Sequence, residues 1–335
     1  MFFNQIFRSF TRLLHVKFIV LLTISTSYGQ NGLIHEREFQ HDGTVRNYLL
    51  YVPAQYDGTE KWPLVINYHG FSGNPMIQID ATQMNVAADL MNFIIAYPEG
   101  LEVDIGFSKG TGWNLGSLSQ YNDIDFSVKL LDHVSSDHLI DSGRIHLAGW
   151  SQGGAFVYAM ACAQSSIIAS IASVAGPMQT YQLNPDNPMA CSPERPLPTL
   201  QVHGTADPMV PFEGGWNWSS AFDTADFWAN LNNSDANPSS VELEDVTTDD
   251  NSSVTLFSYE NCNRQSEILL FRINDGDHMW PGAGVFQGDF DMSHWNRDLN
   301  ASLEILDFFE RQRLNDPKTL IQKTTWGVLK SNANE

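Results

Sequence analysis

The 335-residue sequence is poor in cysteine and in basic residues. Its three cysteines, Cys162, Cys191 and Cys262, are too widely spaced for a zinc cluster, which needs close pairs of ligands. Lysine and arginine total 18 against 39 acidic residues, so the formal net charge is −21. A chain this acidic repels the phosphates of nucleic acids and of anionic lipids. We therefore expect no nucleic acid partner and no stable membrane association.

Long apolar runs are also missing. The run near the N-terminus, Phe18–Ile24, is too short to span about 30 Å of hydrocarbon. It follows three basic residues and precedes small and polar residues that end at Gly29, with no acid before Glu36. This order is typical of a secretory signal peptide, although a membrane anchor is the alternative. We predict that residues 1–29 are a cleaved signal and that the protein is secreted or periplasmic.

The remaining sequence alternates between strand and helix patterns. Leu64–Tyr68 (LVINY) and Phe93–Tyr97 (FIIAY) are continuous apolar runs, typical of strands buried on both faces, and residues 79–91 between them have helical spacing. This alternation predicts an α/β fold with a mostly parallel sheet and helices on both faces. Further strands are predicted at Arg144–Ala148, Ile167–Val174, Leu197–Val202, Val254–Tyr259 and Ile268–Ile273, and further helices at Asp123–His133, Ala155–Ala163, Ser220–Asn230 and Leu299–Phe309.

The same patterns predict how the chain is organised. Asp42-Gly43 between two alternating segments indicates an N-terminal β-hairpin. No internal repeat or linker divides the rest, so we predict a single catalytic domain over residues 30–315. Within it, residues 232–253 are polar and acidic and are predicted to be a surface loop. Residues 316–335 form a polar tail that we expect to be frayed.

A Gly-x-Ser-x-Gly pattern carries the chemistry. Gly149-Trp-Ser151-Gln-Gly153 lies between a predicted strand and a predicted helix, as in the nucleophile elbow of α/β hydrolases. There the serine occupies a sharp, strained turn, and the glycines let neighbouring backbone pass close to it. The pattern alone is weak, but its place between strand and helix makes it specific. Ser151 is therefore the predicted nucleophile.

A serine hydroxyl needs a base, and in this fold the acid and then the histidine follow the serine in the chain. Asp207 comes just after the strand that ends at Val202, and His278 just after the strand that ends at Ile273. We predict that they complete a catalytic triad with Ser151. His294 is the rival base, but no predicted strand leads into its segment.

The oxyanion hole is predicted from backbone N–H groups. One is supplied by the residue after the nucleophile, here Gln152, and the other by the loop after an early strand. His69-Gly70-Phe71 ends the Leu64–Tyr68 strand, so the Phe71 N–H is the second candidate. His69, directly before a glycine at a strand end, is expected to shape the rim of the site; the alternative is a plain turn.

With these residues in place, the chain resembles the secreted polyhydroxybutyrate depolymerase and feruloyl esterase group of α/β hydrolases, with the related acetylxylan esterases. The resemblance covers roughly residues 35–313, and its most specific piece is His-x-Trp-Pro-Gly at residues 278–282. The other matching pieces are His69-Gly70-Phe71, Trp113-Asn114, Asp123-Ile-Asp-Phe126, residues 143–154 and residues 195–208.

The resemblance implies roles for several residues. Ser151 would be the nucleophile, His278 the base and then the acid, and Asp207 its orienting partner. Trp280 and Trp113 would line the substrate pocket, the alternative for both being core packing. Cys162 and Cys191 match family positions, which implies a disulfide between them. No cofactor is implied, and we expect neither a cofactor nor a metal. Asp123 and Asp125 are interpreted as acids at a helix N-terminus, with a metal site as the alternative.

The predicted function is that of a secreted serine ester hydrolase acting through an acyl-serine. Its substrate is expected to be a feruloyl or acetyl ester, either small or attached to a polysaccharide. The alternative within the resemblance is a polyhydroxyalkanoate depolymerase, which would act on polyester oligomers. The alternative from another class is a binding protein without catalysis, but such proteins typically lack a triad member, and here all three are present.

Overall fold

The computed structural model describes residues 31–116, 121–235, 237–262, 266–282 and 295–314. The predicted signal peptide and polar tail lie outside these residues. A ten-stranded sheet runs through the described chain in the order β1-β2-β4-β3-β7-β8-β9-β12-β11-β10. Its strands are β1 (Leu33–His41), β2 (Thr44–Val52), β3 (Trp62–Tyr68), β4 (Ile94–Pro98), β7 (Ile140–Trp150), β8 (Ser170–Val174), β9 (Thr199–Gly204), β10 (Ser239–Glu242), β11 (Ser253–Tyr259) and β12 (Ile268–Asn274).

Strand direction confirms the predicted α/β architecture. The six central strands, from β4 to β12, pair in parallel, and the two strands at each edge pair antiparallel. The helices are α1 (Pro75–Thr82), α2 (Met84–Met91), α3 (Asp123–Asp137), α4 (Gln152–Gln164), α5 (Thr180–Leu183), α6 (Ala221–Leu231) and α7 (Ala301–Glu310).

Strand β3 shows why helices cover both faces of the sheet. Successive side chains of a strand point to opposite faces. The Tyr68 ring packs edge-on against Phe156 of α4, with the ring centroids 5.1 Å apart. Its neighbour Asn67 accepts a hydrogen bond from Gln78 of α1 and donates one to the Met84 sulfur of α2. A strand covered on both sides must be apolar almost throughout, as LVINY is.

The predicted hairpin is present at the edge of the sheet. Strands β1 and β2 pair from Leu33↔Val52 to His41↔Thr44. Asp42 and Gly43 form the turn, both with positive φ (49° and 76°), as a two-residue hairpin of the I′ type requires.

Several elements differ from the sequence prediction. The helix predicted over 79–91 is two helices, because Gln83 adopts a left-handed conformation (φ 50°) between α1 and α2. A second sheet, formed by β5 (Leu101–Asp104) and β6 (Lys109–Gly112), was not predicted. The prediction of a loop over 232–253 is wrong in part, because β10 lies inside it and pairs with β11.

The predicted disulfide is present. Cys162 of α4 is bonded to Cys191, which anchors the irregular chain before β9 to that helix. Cys262 is a free, half-buried thiol whose Sγ donates a hydrogen bond to the Tyr259 carbonyl. Among the helices in the described part of the chain, none has the length and apolar character needed to cross a bilayer.

Candidate active site

Ser151 occupies a strained turn between β7 and α4. Its φ of 57° and ψ of −123° lie outside the regions that ordinary residues favour. Close backbone approach makes this turn possible: a Cβ on Gly149 would lie 2.4 Å from the Gly153 carbonyl oxygen, and one on Gly153 would lie 2.3 Å from the Tyr68 carbonyl oxygen. On the other side, a Cβ on Gly176 would lie 2.2 Å from the Ser151 oxygen. Only glycine fits at these three positions.

The three predicted triad residues lie in one hydrogen-bonded chain. His278 Nε2 is 2.8 Å from Ser151 Oγ, and His278 Nδ1 is 2.7 Å from Asp207 Oδ2. Strands β7, β9 and β12 run parallel, so the loops that follow them meet at the same edge of the sheet. His278 and Asp207 are buried, and Ser151 is half-buried. His278 is therefore shielded from solvent, while the Ser151 hydroxyl remains accessible to a substrate.

The carboxylate of Asp207 is held on both oxygens. Oδ1 accepts hydrogen bonds from the N–H groups of Met209 and Val210, each at 2.8 Å. Oδ2 faces two imidazoles, His278 at 2.7 Å and His203 at 3.4 Å. Burial alone would raise the pKa of Asp207, but the hydrogen bonds from His203 and His278 outweigh it, and the pKa is lowered. Asp207 is thus ionised at neutral pH.

The two predicted oxyanion donors lie beside Ser151. A Cβ on Gly70 would lie 3.2 Å from Ser151 Cβ and 3.7 Å from its Oγ, so the loop carrying Phe71 passes directly over the nucleophile. Among the described residues, no acceptor is bonded to the Phe71 N–H. The Gln152 N–H opens α4, where the first N–H groups lack an acceptor within the helix. Both N–H groups belong to segments next to Ser151, and their role as oxyanion donors stays a prediction.

The structure does not place His69, Trp113 and Trp280 where a substrate would touch them. All three side chains are buried. The Trp113 indole stacks on Phe156 and donates to the His69 carbonyl at 2.8 Å, while the Trp280 indole donates to Ser302. The interpretation that the two tryptophans line the pocket is corrected to core packing, the alternative stated for both.

His69 positions the loop that carries Phe71. Its Nε2 accepts the Gly100 N–H at 2.9 Å, so the proton is on Nδ1, which donates to the Gly70 carbonyl at 2.7 Å. Burial lowers the pKa of His69 to about 4, so the ring stays neutral at neutral pH. The prediction that His69 shapes the rim is therefore refined: its hydrogen bonds act from below the loop.

The other candidate groups lie elsewhere. His294 falls outside the described residues. Asp123 forms a buried ion pair with Arg46 at 2.8 Å, so the simple interpretation of Asp123 as an acid at a helix N-terminus is incomplete. Asp125, in contrast, is hydrogen-bonded to His41. His41, Asp42 and Asp125 offer ligand atoms within 4.8 Å of one another, but Asp42 is exposed, Asp125 is half-buried, and the group lies at the hairpin turn.

Comparison with known proteins agrees with this geometry. A family model described as phospholipase/carboxylesterase matches residues 55–237. Feruloyl esterase B of Piromyces equi is 27% identical over 73% of the chain and 44% of its own length. A bifunctional acetylxylan esterase/xylanase of Neocallimastix patriciarum is 24% identical over 77% of the chain and 35% of its own. The chain thus spans less than half the length of these two relatives.

Solved structures support the fold. An acetyl xylan esterase from Aspergillus awamori matches with a TM-score of 0.56 at 15% identity, over 83% of this chain and 99% of its own. A ferulic acid esterase from Anaeromyces mucronatus, bound to ferulic acid, matches with a TM-score of 0.53 at 14% identity, over 84% and 90%. These likenesses confirm the predicted α/β-hydrolase fold. Together with the sequence relatives, they also confirm the predicted resemblance to feruloyl and acetylxylan esterases.

Proposed function

The chain belongs to the phospholipase/carboxylesterase family, and from that premise we propose that it is a secreted serine carboxylesterase. The observation that carries the proposal is the continuous hydrogen-bonded chain from Ser151 through His278 to Asp207, with two backbone N–H groups beside the serine. The sequence of residues 1–29, typical of a signal peptide, supports secretion.

The geometry supports acyl transfer to water. His278 Nε2 takes the proton of Ser151 Oγ as the oxygen attacks the ester carbonyl, and Asp207 stabilises the imidazolium. The oxyanion accepts hydrogen bonds from the N–H groups of Phe71 and Gln152. The intermediate collapses to acyl-Ser151, and the leaving alkoxide takes the proton from His278. Water, deprotonated by His278, then releases the acid and restores the serine.

We assign the substrate to feruloyl or acetyl esters on polysaccharide side chains. The support is the names of the relatives, which include feruloyl esterases and an acetylxylan esterase. Burial of Trp113 and Trp280 removes the aromatic pocket lining predicted from the sequence, and therefore leaves the choice of acyl group to experiment. A polyhydroxyalkanoate remains the second candidate because of the motifs shared with depolymerases.

A substrate panel tests the proposal. Purified mature chain is assayed with methyl ferulate, p-nitrophenyl acetate, acetylated xylan, feruloylated arabinoxylan and a hydroxybutyrate oligomer. We expect Ser151→Ala to lower kcat by roughly 10⁴-fold or more on every substrate that is turned over, since it removes the nucleophile. Ser136→Ala, an exposed serine on α3, is the matched control and should retain full activity.

The outcomes separate the alternatives. Preference for the hydroxybutyrate oligomer would replace the polysaccharide assignment by the polyester one. Turnover that survives in Ser151→Ala would exclude the acyl-serine mechanism. A folded protein inactive on the whole panel would favour the binding-protein alternative.

A further inference from the structure

Two aromatic side chains stand out on the surface. Trp216 is 89% exposed and Phe107 is 78% exposed, more than any other large apolar side chain among the described residues. They are distant in sequence, yet their rings meet edge to face with centroids 6.4 Å apart. A single exposed apolar residue is ordinary, whereas apolar side chains gathered from separate loops mark interaction sites.

The loop of Phe107 is joined to the loop that carries Phe71, which passes close to Ser151. Phe107 lies at the tip of the β5–β6 hairpin. Strand β6 lies against the loop of residues 69–72, here called the oxyanion loop: the Ser72 N–H donates to the Thr111 carbonyl at 2.7 Å. A Cβ on Gly110 would lie 3.2 Å from the ring of Phe71. The hairpin therefore extends the wall that begins at the Phe71 N–H.

The loop of Trp216 is joined to another segment that contacts Ser151. The Thr180 N–H donates to the Asn217 carbonyl at 2.7 Å, which joins this loop to the chain that leaves β8. That chain passes Ser151 at Gly176. Trp216 has a φ of 57°, and reciprocal hydrogen bonds between Gly215 and Trp218 fix the turn around it. The fold thus holds a tryptophan exposed in a costly conformation, which a random surface residue would not require.

We propose that Phe107 and Trp216 form an aromatic bridge that binds the neutral sugar chain carrying the scissile ester. This inference rests on the proposed function and deepens it by assigning a subsite for the polymer. The C–H face of a pyranose packs on the face of an aromatic side chain. The hydroxyl groups at the edge of the sugar then remain exposed to water. The net charge of −21 disfavours an anionic polymer and leaves a neutral one acceptable. Both loops are joined to segments that contact Ser151, one at Gly70 and one at Gly176, so a sugar held on the bridge can carry its acyl group toward the nucleophile.

The test compares a polymer with a small ester. Phe107→Ala, Trp216→Ala and the double variant are assayed on feruloylated arabinoxylan and on methyl ferulate, with acetylated xylan and p-nitrophenyl acetate as the acetyl pair. We expect the double variant to lose about tenfold in kcat/KM on the polymers, mainly through KM, and to keep its activity on the small esters. Leu90→Ala removes an exposed apolar side chain from α2 and should change neither.

A binding measurement separates this proposal from the proposed function. Affinity electrophoresis in gels containing unesterified arabinoxylan should retard the parent chain and not the Trp216→Ala variant, whether or not the chain is an esterase. Equal loss on polymer and small ester would place the rings in the acyl pocket instead. Loss confined to hydroxybutyrate oligomers, or unaltered binding and kinetics in the double variant, would overturn the sugar-binding bridge.

A different observation concerns the second histidine at Asp207. His203 is buried, and its Nε2 lies 2.8 Å from the Val210 carbonyl and 3.4 Å from Asp207 Oδ2. Both neighbours are acceptors, so Nε2 carries the proton and shares it between them. Its edge-on packing against Phe212 holds the ring in place. Among the described residues, His203 and His278 are the titratable groups in contact with Asp207.

The geometry points to His203 as a positioning residue for the reaction. Its N–H fixes the carboxylate that orients His278 and withdraws negative charge from Oδ2. Without that N–H, Asp207 would be a stronger acceptor for His278 Nδ1–H and would stabilise the imidazolium further. We therefore expect the base pKa in the kcat/KM profile to rise when the N–H is removed.

The variants are chosen by hydrogen-bond reach. His203→Leu and His203→Asn should lower kcat about tenfold or more with little change in KM, because a bond to a charged group is lost. Both should shift the base limb upward, whereas His203→Gln, which can place an amide N–H near the position of Nε2, should restore parent behaviour. His146→Asn, another buried histidine, is the control. A pH profile unmoved in both His203→Asn and His203→Leu would show a merely structural role.

Discussion

The pKa values of two buried aspartates of this protein are shifted in opposite directions. Asp207 accepts hydrogen bonds on both oxygens, and its pKa is lowered despite burial. Asp123 also accepts on both, from the Arg46 guanidinium and from the Asn114 N–H, but burial dominates and its pKa is raised. At Asp207 the hydrogen bonds outweigh the effect of burial on the pKa, and at Asp123 they do not.

The two carboxylates also differ in what lies beyond them. Asp207 is connected through His278 to a half-buried hydroxyl. Asp123 is paired with an arginine that is itself buried under the ring of Phe126, with the guanidinium 3.6 Å from the ring centroid. In this protein, the buried carboxylate proposed to act in catalysis is the one bonded to a histidine that contacts an accessible hydroxyl. The other carboxylate is paired with a buried arginine and stabilises the fold.

The largest expected effect comes from the first aspartate. Asp207→Asn keeps the shape of the side chain but removes the charge that orients His278, and we expect kcat to fall by about 10⁴-fold. The free energy of unfolding, measured by urea denaturation, should change far less. A large loss in the free energy of unfolding of Asp207→Asn, alongside its loss of kcat, would contradict the difference proposed between the two aspartates.

Asp123 should show the reverse, a large effect on stability and a small effect on kcat. Asp123→Asn leaves the Arg46 guanidinium buried without its counter-charge, and we expect a loss of about 3–5 kcal/mol in the free energy of unfolding. The folded fraction should keep a near-normal kcat on p-nitrophenyl acetate. The double variant Arg46→Met/Asp123→Leu should recover most of the stability, because no charge is then buried. Loss of kcat in the folded single variant would link Asp123 to catalysis.

Two buried histidines, His69 and His146, are expected to have a smaller effect, on how stability depends on pH. Burial lowers the pKa of His69 to about 4 and that of His146 to about 3, below the value of about 6.5 in an unfolded chain. Between these values the unfolded state binds more protons, so stability is full above pH 6.5 and falls as the pH falls. At pH 5 each histidine should cost about 2 kcal/mol relative to pH 7.

The measurement is urea unfolding at pH 7 and pH 5. His146→Gln loses the stacking on Phe309 and should be less stable at pH 7, but its loss between the two pH values should be smaller than that of the parent by about 2 kcal/mol. An equal loss in parent and variant would show that His146 does not titrate on unfolding.

The strands that carry the candidate site were predictable because each is a short apolar run that ends in turn residues. Ser151, Asp207 and His278 follow three such runs, and chain order then assigned their roles. The hairpin of β5 and β6 was not predicted, because LEVD alternates over only four residues and KGTG has no apolar side chain, although Gly106 and Ser108 between them are turn residues. Its pairing depends on contact with the oxyanion loop.

Side-chain partners were harder to predict than strands. Arg46 and Asp123 come from segments far apart in the sequence, and neither segment signals that its charge is buried. The contact between His203 and Asp207 joins residues four apart, but across a turn whose shape the sequence alone does not specify. The resemblance implied a pocket role for the tryptophans, with core packing as the alternative. Aromatic rings suit both pockets and cores, and only their surroundings distinguish the two.

The close backbone approach around Ser151 has a consequence for engineering. Main-chain atoms near Gly149, Gly153 and Gly176 hold the nucleophile, and none of them belongs to the loops of Phe107 and Trp216. Libraries that randomise those two loops should therefore explore new polymer preferences without losing the reactive serine. In this fold, the backbone that holds the reactive serine is separate from the loops proposed to bind the polymer, so substrate preference can change while the reactive serine is kept.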